Sequence, residues 1–282
     1  MTFRVAQISD THLSPEKPHF VGNFRLLGAQ LRALKPDLVV NTGDLSLNGA
    51  DSEADLRLAR QLHDELGLDW VAVPGNHDVG DDPATAAKQP LDAERVARFA
   101  RIFGMGRFVR DVPGWRLIGI NSLLTGADIP EAHAQHEYLR DAVAGAGDRK
   151  IALFLHKPVA LDGVPPDTYW LVAQAGRARI DAAFAGRAPD MVACGHMHQY
   201  RRFAAGPTLH VWAPSAAFIV GDAHQARFGT KLVGYLEHEF RADGTVDTRL
   251  AAVDGLALMD IGVMPEIYGQ LPPLAKADTA AQ

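Results

Sequence analysis

Hydrophobic positions in the first 73 residues follow two alternating patterns. Short apolar runs, which favour buried strands, occur at residues 3–9, 37–41 and 69–73. Between them, residues 23–34 and 51–66 carry apolar side chains at helical spacing, and Asp51 or Ser52 suits the N-cap of the second helix. This strand–helix order predicts a largely parallel sheet with right-handed crossovers.

The remaining chain continues this alternation less regularly. The pattern predicts strands at 115–121, 150–155 and 190–194 and helices at 91–103, 131–144 and 175–185. From residue 208 onward it predicts strands without helices at 208–212, 231–240 and 245–253, the last two joined by the turn Ala242-Asp243-Gly244. We expect one catalytic domain over residues 1–260 and a partly disordered C-terminal extension over 261–282, because the last dozen residues are rich in Ala, Pro and polar residues.

Composition excludes several classes of protein. Apolar residues make up 47% of the 282-residue chain and charged residues 22%, which argues against a disordered, collagen-like or small disulfide-stapled protein. The formal net charge of −6 does not give the positive field of a dedicated nucleic-acid or anionic-membrane binder. The single cysteine, Cys194, excludes an intrachain disulfide and a cysteine-cage zinc site.

The N-terminus does not have the basic start, apolar core and small-residue cleavage site of a secretory signal. No apolar run approaches the roughly 20 residues that cross a bilayer. We therefore predict a cytoplasmic protein with no membrane partner.

Five clusters of polar residues directly follow predicted strands. They are Asp10-Thr11-His12, Gly43-Asp44, Gly75-Asn76-His77-Asp78, Leu155-His156 and Gly195-His196-Met197-His198. The carboxyl ends of parallel strands share one edge of a sheet, where ligands bind. We therefore expect these residues, which are distant in sequence, to converge on one site.

The residue types in these clusters suit a metal centre. Oxygen and nitrogen donors come from Asp10, His12, Asp44, Asn76, His156, His196 and His198. These donors suit Mn, Fe, Co or Zn. Asp10 and His12, like His196 and His198, are two residues apart, and in an extended segment that spacing places both side chains on the same side. Seven donors are too many for one tetrahedral ion with an open position and suit two ions about 3.5–4 Å apart that share a carboxylate.

The ordered set Asp-x-His, Gly-Asp, Gly-Asn-His-Asp, His and Gly-His-x-His, from residue 10 to 198, resembles the calcineurin-like metallophosphoesterase superfamily. It is most similar to the branch of class III cyclic-nucleotide phosphodiesterases and glycerophosphodiesterases. The resemblance implies an α/β fold, a four-layer α/β/β/α sandwich of two mixed β-sheets flanked by helices. The helix-poor strands after residue 208 are compatible with its second sheet.

The resemblance also implies roles for the matching residues. A first metal ion would be held by Asp10, His12 and His198, a second by Asn76, His156 and His196, and both by a bridging Asp44. His77 would face the substrate, either stabilising charge on the phosphoryl oxygens or protonating the leaving oxygen, and Asp78 would orient His77. Two divalent or trivalent ions of Mn, Fe, Zn or Co would prepare a metal-bridging hydroxide for in-line attack on phosphorus.

These features predict a dinuclear-metal phosphodiesterase that acts on a small organic phosphodiester. The linear sequence shows no concentrated Lys/Arg groove that would follow a long nucleic acid. A phosphomonoesterase or nuclease on the same centre is an alternative, because only the pocket walls separate these activities. A non-catalytic metal-bound scaffold is another, although every expected position is filled. The resemblance also allows a homo-oligomer. Aromatic residues that could stack on a base or pack beneath a loop are Phe20, Tyr169, Trp170 and Phe218.

Overall fold

The computed structural model describes residues 1–84, 86, 88–161 and 168–274, whose strands form two mixed sheets. The strands are β1 Thr2–Ile8, β2 Leu38–Asn41, β3 Trp70–Ala72, β4 Phe108–Val112, β5 Trp115–Gly119, β6 Lys150–Phe154, β7 Met191–Cys194, β8 Arg201–Ala205, β9 Thr208–Trp212, β10 Tyr235–Arg241 and β11 Val246–Ala251. The α-helices are α1 Val21–Leu34, α2 Glu53–Asp64, α3 Asn76–Val79, α4 Ala93–Phe103, α5 Pro130–Ala144, α6 Gln174–Phe184 and α7 Pro265–Tyr268. Short 3₁₀ turns occur at Pro18–Phe20, Ser122–Leu124 and Ile261–Val263.

Both sheets contain a run of adjacent parallel strands, with antiparallel strands on one side of it in the first sheet and on both sides of it in the second. The first sheet has the order β11-β10-β1-β2-β3, and the second has the order β4-β5-β6-β7-β9-β8. In the first sheet, β1, β2 and β3 are parallel, with Ile8 opposite Asn41 and Asn41 opposite Ala72. In the second, β5, β6, β7 and β9 are parallel. Because the parallel strands of a sheet end together, the loops that follow them leave from a common edge.

Three hydrophobic clusters produce the four layers. Along β2, Val39 packs in the cluster that includes residues of α1, α2 and α4, whereas Leu38 and Val40 lie in the cluster between the two sheets. This division follows from the alternation of side chains along a strand. The inter-sheet cluster also contains Trp115 and Phe240, whose rings meet edge to face at 5.1 Å. Helices α5 and α6 cover the outer face of the second sheet, so the predicted four-layer sandwich is confirmed.

The short helices α3 and α7 were not predicted, and two further differences concern the strands. The hydrophobic pattern did not indicate β4 or β8, which lie at the edges of the second sheet, where exposed polar residues interrupt the apolar run. The strands after residue 208 were compatible with the second sheet, but only β9 lies there, and β10 and β11 belong to the first sheet. Strand β10 pairs antiparallel with β1 in the first sheet, with Phe3 opposite Phe240, because its buried alternate residues complete the inter-sheet core.

The described part of the C-terminal extension packs on the rest of the chain. Ile261 and Ile267 are buried in one cluster with Phe20 and Phe218. The division between residues 1–260 and 261–282 stays a prediction, and the disorder expected at residues 275–282 lies outside the described residues. Among the described helices, none has the length and apolar character required to cross a bilayer.

Candidate metal centre

All seven predicted metal ligands meet where the loops after β1, β2, β3, β6 and β7 come together. Two groups of side chains have ligand atoms within 4.8 Å of one another: Asp10, His12, Asp44 and His198 in the first, and Asp44, His156 and His196 in the second. Asn76 joins the second group, with Oδ1 3.1 Å from Nε2 of His156. Asp44 belongs to both groups, as a bridging carboxylate must.

Several of these side chains belong to residues with a left-handed backbone conformation. Among the described non-glycine residues, seven have positive φ, and five of them are predicted ligands: Asp10, His12, Asp44, His196 and His198, with φ between 44° and 66°. This conformation costs an L-residue about 1–2 kcal/mol, so it persists only where neighbouring contacts fix it, often at functional sites. The expectation that Asp10 and His12, and His196 and His198, lie on extended segments is therefore wrong.

Two motif glycines leave room for the carboxylates. A Cβ atom at Gly75 would lie 2.2 Å from Oδ1 of Asp44, although the φ of Gly75 is an ordinary −105°. A Cβ atom at Gly195 would lie 2.6 Å from Oδ2 of Asp10. Close approach is therefore the reason for glycine at both positions.

Hydrogen bonds orient the candidate histidines. Backbone carbonyl oxygens lie 2.8–3.2 Å from one ring nitrogen of three of them: Nδ1 of His156 at Thr42, Nδ1 of His198 at Phe218 and Nε2 of His196 at Tyr169. Because a carbonyl oxygen only accepts, each of these nitrogens carries the proton that it donates. In the neutral ring the other nitrogen keeps a lone pair for a metal ion.

The buried charges of the centre suit a bound cation. Oδ1 of Asp10 is buried and has no aligned hydrogen-bond donor among the described residues, although Nε2 of His198 lies 3.2 Å away. Although burial opposes both effects, His156 holds the pKa of Asp44 well below its usual range, and Asp44 raises the pKa of His156 to about 9. Carboxylate, amide and imidazole donors fit a divalent metal ion.

Two other histidines of the centre are already in the protonation state that metal binding needs. Burial lowers the pKa values of His12 and His196 well below 6.5. Both rings are therefore neutral at pH 7, and a metal ligand must be neutral imidazole.

His77 and Asp78 lie beside the centre, where Asp78 contacts the backbone of two loops, and its role in orienting His77 stays a prediction. The carboxylate of Asp78 accepts hydrogen bonds from the backbone N–H groups of Leu45, Ser46 and Gly75 and from the Ser46 hydroxyl. It therefore fastens the loop of Asp44 to the loop of Asn76. The ring of His77 is held by the Leu47 carbonyl, 3.1 Å from Nδ1.

Three contacts of the centre were not predicted. The Tyr268 hydroxyl lies 2.8 Å from Nδ1 of His12. The Tyr169 hydroxyl accepts a hydrogen bond from Nδ2 of Asn76 at 3.3 Å. Lys157 forms a buried ion pair with Asp81, with Nζ 3.0 Å from both carboxylate oxygens. No motif marks Tyr268, whereas the position of Lys157 directly after a buried strand and His156 was a usable signal.

The predicted aromatic residues divide between two environments. Phe20 and Phe218 are buried, and Phe218 lies against His12 and His198 at ring-centre distances of 4.6 and 4.4 Å. Tyr169 is half-buried beside His196, at 5.0 Å between ring centres. Packing therefore accounts for the two phenylalanines.

Known proteins are similar to this chain in sequence and in fold. The family model for calcineurin-like phosphoesterases matches residues 3–200, which include every predicted site residue. A probable glycerophosphodiester phosphodiesterase from Arcobacter nitrofigilis is 27% identical over 207 residues, 69% of this chain and 71% of that protein. A probable cyclic nucleotide phosphodiesterase from Synechococcus sp. is 28% identical over 232 residues, 77% of this chain and 82% of that protein.

Among solved structures, a purple acid phosphatase from yellow lupin has a TM-score of 0.64 at 13% identity, over 92% of this chain and 53% of that longer chain. That likeness shows the fold. The extent of the family match confirms the resemblance first seen in the five motifs. The chain belongs to the calcineurin-like phosphoesterase family and is a metal-dependent hydrolase of phosphoesters.

Proposed function

We propose that this protein is a phosphodiesterase that uses two metal ions to hydrolyse small organic phosphodiesters. The observation that carries the proposal is the pair of donor groups that share Asp44. Asp10, His12 and His198 would complete the site of one ion, and Asn76, His156 and His196 the site of the other. The mixed donor set suits Mn, Fe, Zn or Co.

The chain's own residues prepare the site for a phosphodiester. When bound, two metal ions would neutralise the phosphate and lower the pKa of a coordinated water toward about 7. The backbone N–H of His77 donates to Oδ1 of Asp44 at 2.8 Å, which fixes the shared carboxylate. Asp78 holds the two loops on either side of it together.

His77 is the candidate acid or charge-stabilising group. Its half-buried ring lies 5.0 Å from the ring of His12, centre to centre, but belongs to neither donor group. Because Nδ1 lies 3.1 Å from the Leu47 carbonyl, to which it can only donate, Nε2 is the nitrogen available to substrate. That nitrogen would contact a phosphoryl oxygen or protonate the leaving alcohol.

The two relatives support a diester as substrate. One is named for glycerophosphodiesters and the other for cyclic nucleotides, and both names describe small phosphodiesters. The excess of 34 acidic over 28 basic residues gives no general attraction for a long nucleic acid. The cytoplasmic location, the absence of a membrane partner and the homo-oligomer stay predictions.

A substrate panel with metal analysis tests this proposal. Protein stripped with chelator and reloaded with Mn²⁺ should contain two equivalents of metal and cleave bis-p-nitrophenyl phosphate, with glycerophosphodiesters and cyclic nucleotides identifying the preferred class. Activity that survives exhaustive metal removal would refute the proposal. A higher kcat/KM for p-nitrophenyl phosphate would favour a phosphomonoesterase. Two bound metal ions without turnover on the whole panel would favour a scaffold.

The variant His77→Ala tests the role of the ring. It should keep both metal equivalents and lose about 10²–10⁴-fold in kcat on an alkyl diester, the usual contribution of general acid catalysis. The loss should be smaller with bis-p-nitrophenyl phosphate if the ring protonates the leaving group, because nitrophenolate leaves without a proton. His133→Ala is the control, since His133 is an exposed residue of α5 that pairs with Asp128. Unchanged turnover in His77→Ala would contradict the assignment.

A further inference from the structure

The C-terminal segment brings a tyrosine hydroxyl to one of the candidate metal ligands. Tyr268 is the last residue of α7, and its hydroxyl oxygen lies 2.8 Å from Nδ1 of His12 and 3.5 Å from the carbonyl oxygen of Leu47. This contact joins residues 256 positions apart in the chain. None of the five motifs includes Tyr268, and the proposed function does not require it.

The direction of these hydrogen bonds follows from the position of the His12 ring. Nε2 of His12 lies 3.3 Å from Nε2 of His198 and 3.8 Å from Oδ2 of Asp44, so Nε2 faces the donor group. If Nε2 provides the lone pair for a metal ion, the neutral ring carries its proton on Nδ1. Nδ1 then donates to the phenol oxygen, and the phenol O–H donates to Leu47.

The Leu47 carbonyl also connects these hydrogen bonds to His77, the candidate acid. It lies 3.1 Å from Nδ1 of His77, and a carbonyl oxygen has two lone pairs to accept both donors. The rings of Tyr268 and His77 are in contact, with centres 5.0 Å apart. One hydroxyl therefore links the orientation of a metal ligand to that of the residue assigned to the substrate.

The position of Tyr268 depends on its neighbours more than on its own hydroxyl. Ile261 in the preceding 3₁₀ turn and Ile267 within α7 are buried in one cluster with Phe20, Leu47 and Phe218. Lys17 also donates through Nζ to the Ile267 carbonyl. A phenylalanine at position 268 would therefore keep the segment in place and remove only the hydrogen-bonded link.

We propose that Tyr268 is a positioning residue that fixes His12 with its Nε2 lone pair toward the first metal ion and, through Leu47, fixes the ring of His77. This inference rests on the proposed function, because it assigns His12 to a metal ion. Hydrogen-bond partners of metal-binding histidines commonly change metal affinity by about 10–100-fold.

The variant Tyr268→Phe tests the inference in the full-length protein. Metal-free wild type and variant are titrated with Mn²⁺ by calorimetry and with Co²⁺ by visible absorption. We expect one of the two sites to bind about 10–100-fold more weakly and to show a changed Co²⁺ spectrum, while the other site is unaffected. With both sites saturated, kcat should fall and the KM for the diester should not change.

Two further variants separate the hydroxyl from packing. Tyr235→Phe removes another hydroxyl, which donates to Glu237 within β10, and should behave as wild type. Tyr268→Leu removes the aromatic ring as well. The unfolding temperature of metal-free Tyr268→Phe should match wild type, and a variant that fails to fold would contradict the inference, because the hydroxyl would then be a structural requirement.

The outcomes distinguish this inference from the proposed function. The inference would be overturned if Tyr268→Phe had normal metal affinity and a wild-type Co²⁺ spectrum and only Tyr268→Leu bound metal more weakly. Tyr268 would then act by packing alone. A wild-type protein that binds two metal ions but cleaves no phosphodiester would overturn the proposed function, and the affinity measurements would still decide the role of Tyr268. A wild-type protein that binds no metal would overturn both.

Discussion

The buried ion pair between Lys157 and Asp81 holds two loops of the candidate metal centre together. Nζ of Lys157 lies 3.0 Å from both carboxylate oxygens, and the two side chains are only 4% and 3% exposed. Lys157 directly follows His156, and Asp81 lies two residues beyond α3, which begins at Asn76. Loss of the pair should therefore reduce stability and disturb the second donor group.

The size of the effect follows from the burial of both charges. Lys157→Met keeps an unbranched chain of similar length and removes the ammonium group, which leaves the Asp81 carboxylate buried without its partner. Breaking a buried pair in this way costs about 3–5 kcal/mol. Lys150 and Asp190 form an exposed pair of the same residue types, 3.5 Å apart with side chains 49% and 28% exposed. Lys150→Met should cost less than about 1 kcal/mol, as is usual for surface pairs.

Urea unfolding of the metal-free proteins, followed by circular dichroism, measures these free energies. The double variant Lys157→Met/Asp81→Asn removes both charges and should be more stable than Lys157→Met alone, since no unpaired charge remains. A loss below about 1 kcal/mol in Lys157→Met would refute the reasoning, because it would equal the effect of a surface pair. A double variant no more stable than Lys157→Met would refute it as well.

Two further predictions concern the loop glycines and the buried histidines. In Gly75→Ala, the added methyl would lie 2.2 Å from Oδ1 of Asp44. Metal content, measured by metal analysis, and turnover, measured by steady-state kinetics, should therefore fall at least about tenfold. Gly22→Ala, with nothing within 4 Å of the new Cβ, should change neither, and normal metal content in Gly75→Ala would contradict the prediction. Burial lowers the pKa of His238 to about 3. Below about pH 6.5 the unfolded chain therefore binds a proton at His238 that the folded chain does not bind. The free energy of unfolding consequently falls as the pH decreases. His238→Gln should therefore reduce the difference between the unfolding free energies of metal-free protein at pH 7 and pH 5 by about 2 kcal/mol, and an unchanged difference would contradict this.

The main strands and the candidate metal donors could be predicted because both are marked in the local sequence. Strands buried on both faces are continuous apolar runs, as Leu38, Val39 and Val40 show in β2. The donors follow such runs, and the parallel arrangement brings the ends of the strands together. The positions of these strands and the candidate donors that follow them could therefore be predicted together.

The features that were missed depend on contacts distant in sequence or on exposed edges. Strand β8 reads Arg-Arg-Phe-Ala-Ala and alternates between exposed and half-buried positions at the edge of its sheet, so no apolar run marks it. The left-handed backbone of Asp10 and Asp44 is imposed by neighbouring loops. The contact between Tyr268 and His12 depends on where the C-terminal segment packs, and no local pattern contains that information.

Asp78 shows that an acidic residue next to a candidate catalytic histidine can contact the backbone of neighbouring loops. Its carboxylate faces backbone N–H groups of two loops, and burial together with the charge of Asp44 raises its pKa to about 6. A carboxylate in that position restrains the loops that carry Asp44 and Asn76, and Asp44 itself is held in a costly left-handed conformation. The geometry of the centre is therefore maintained by hydrogen bonds within the chain, and this arrangement would let the donors stay in place when a metal ion leaves.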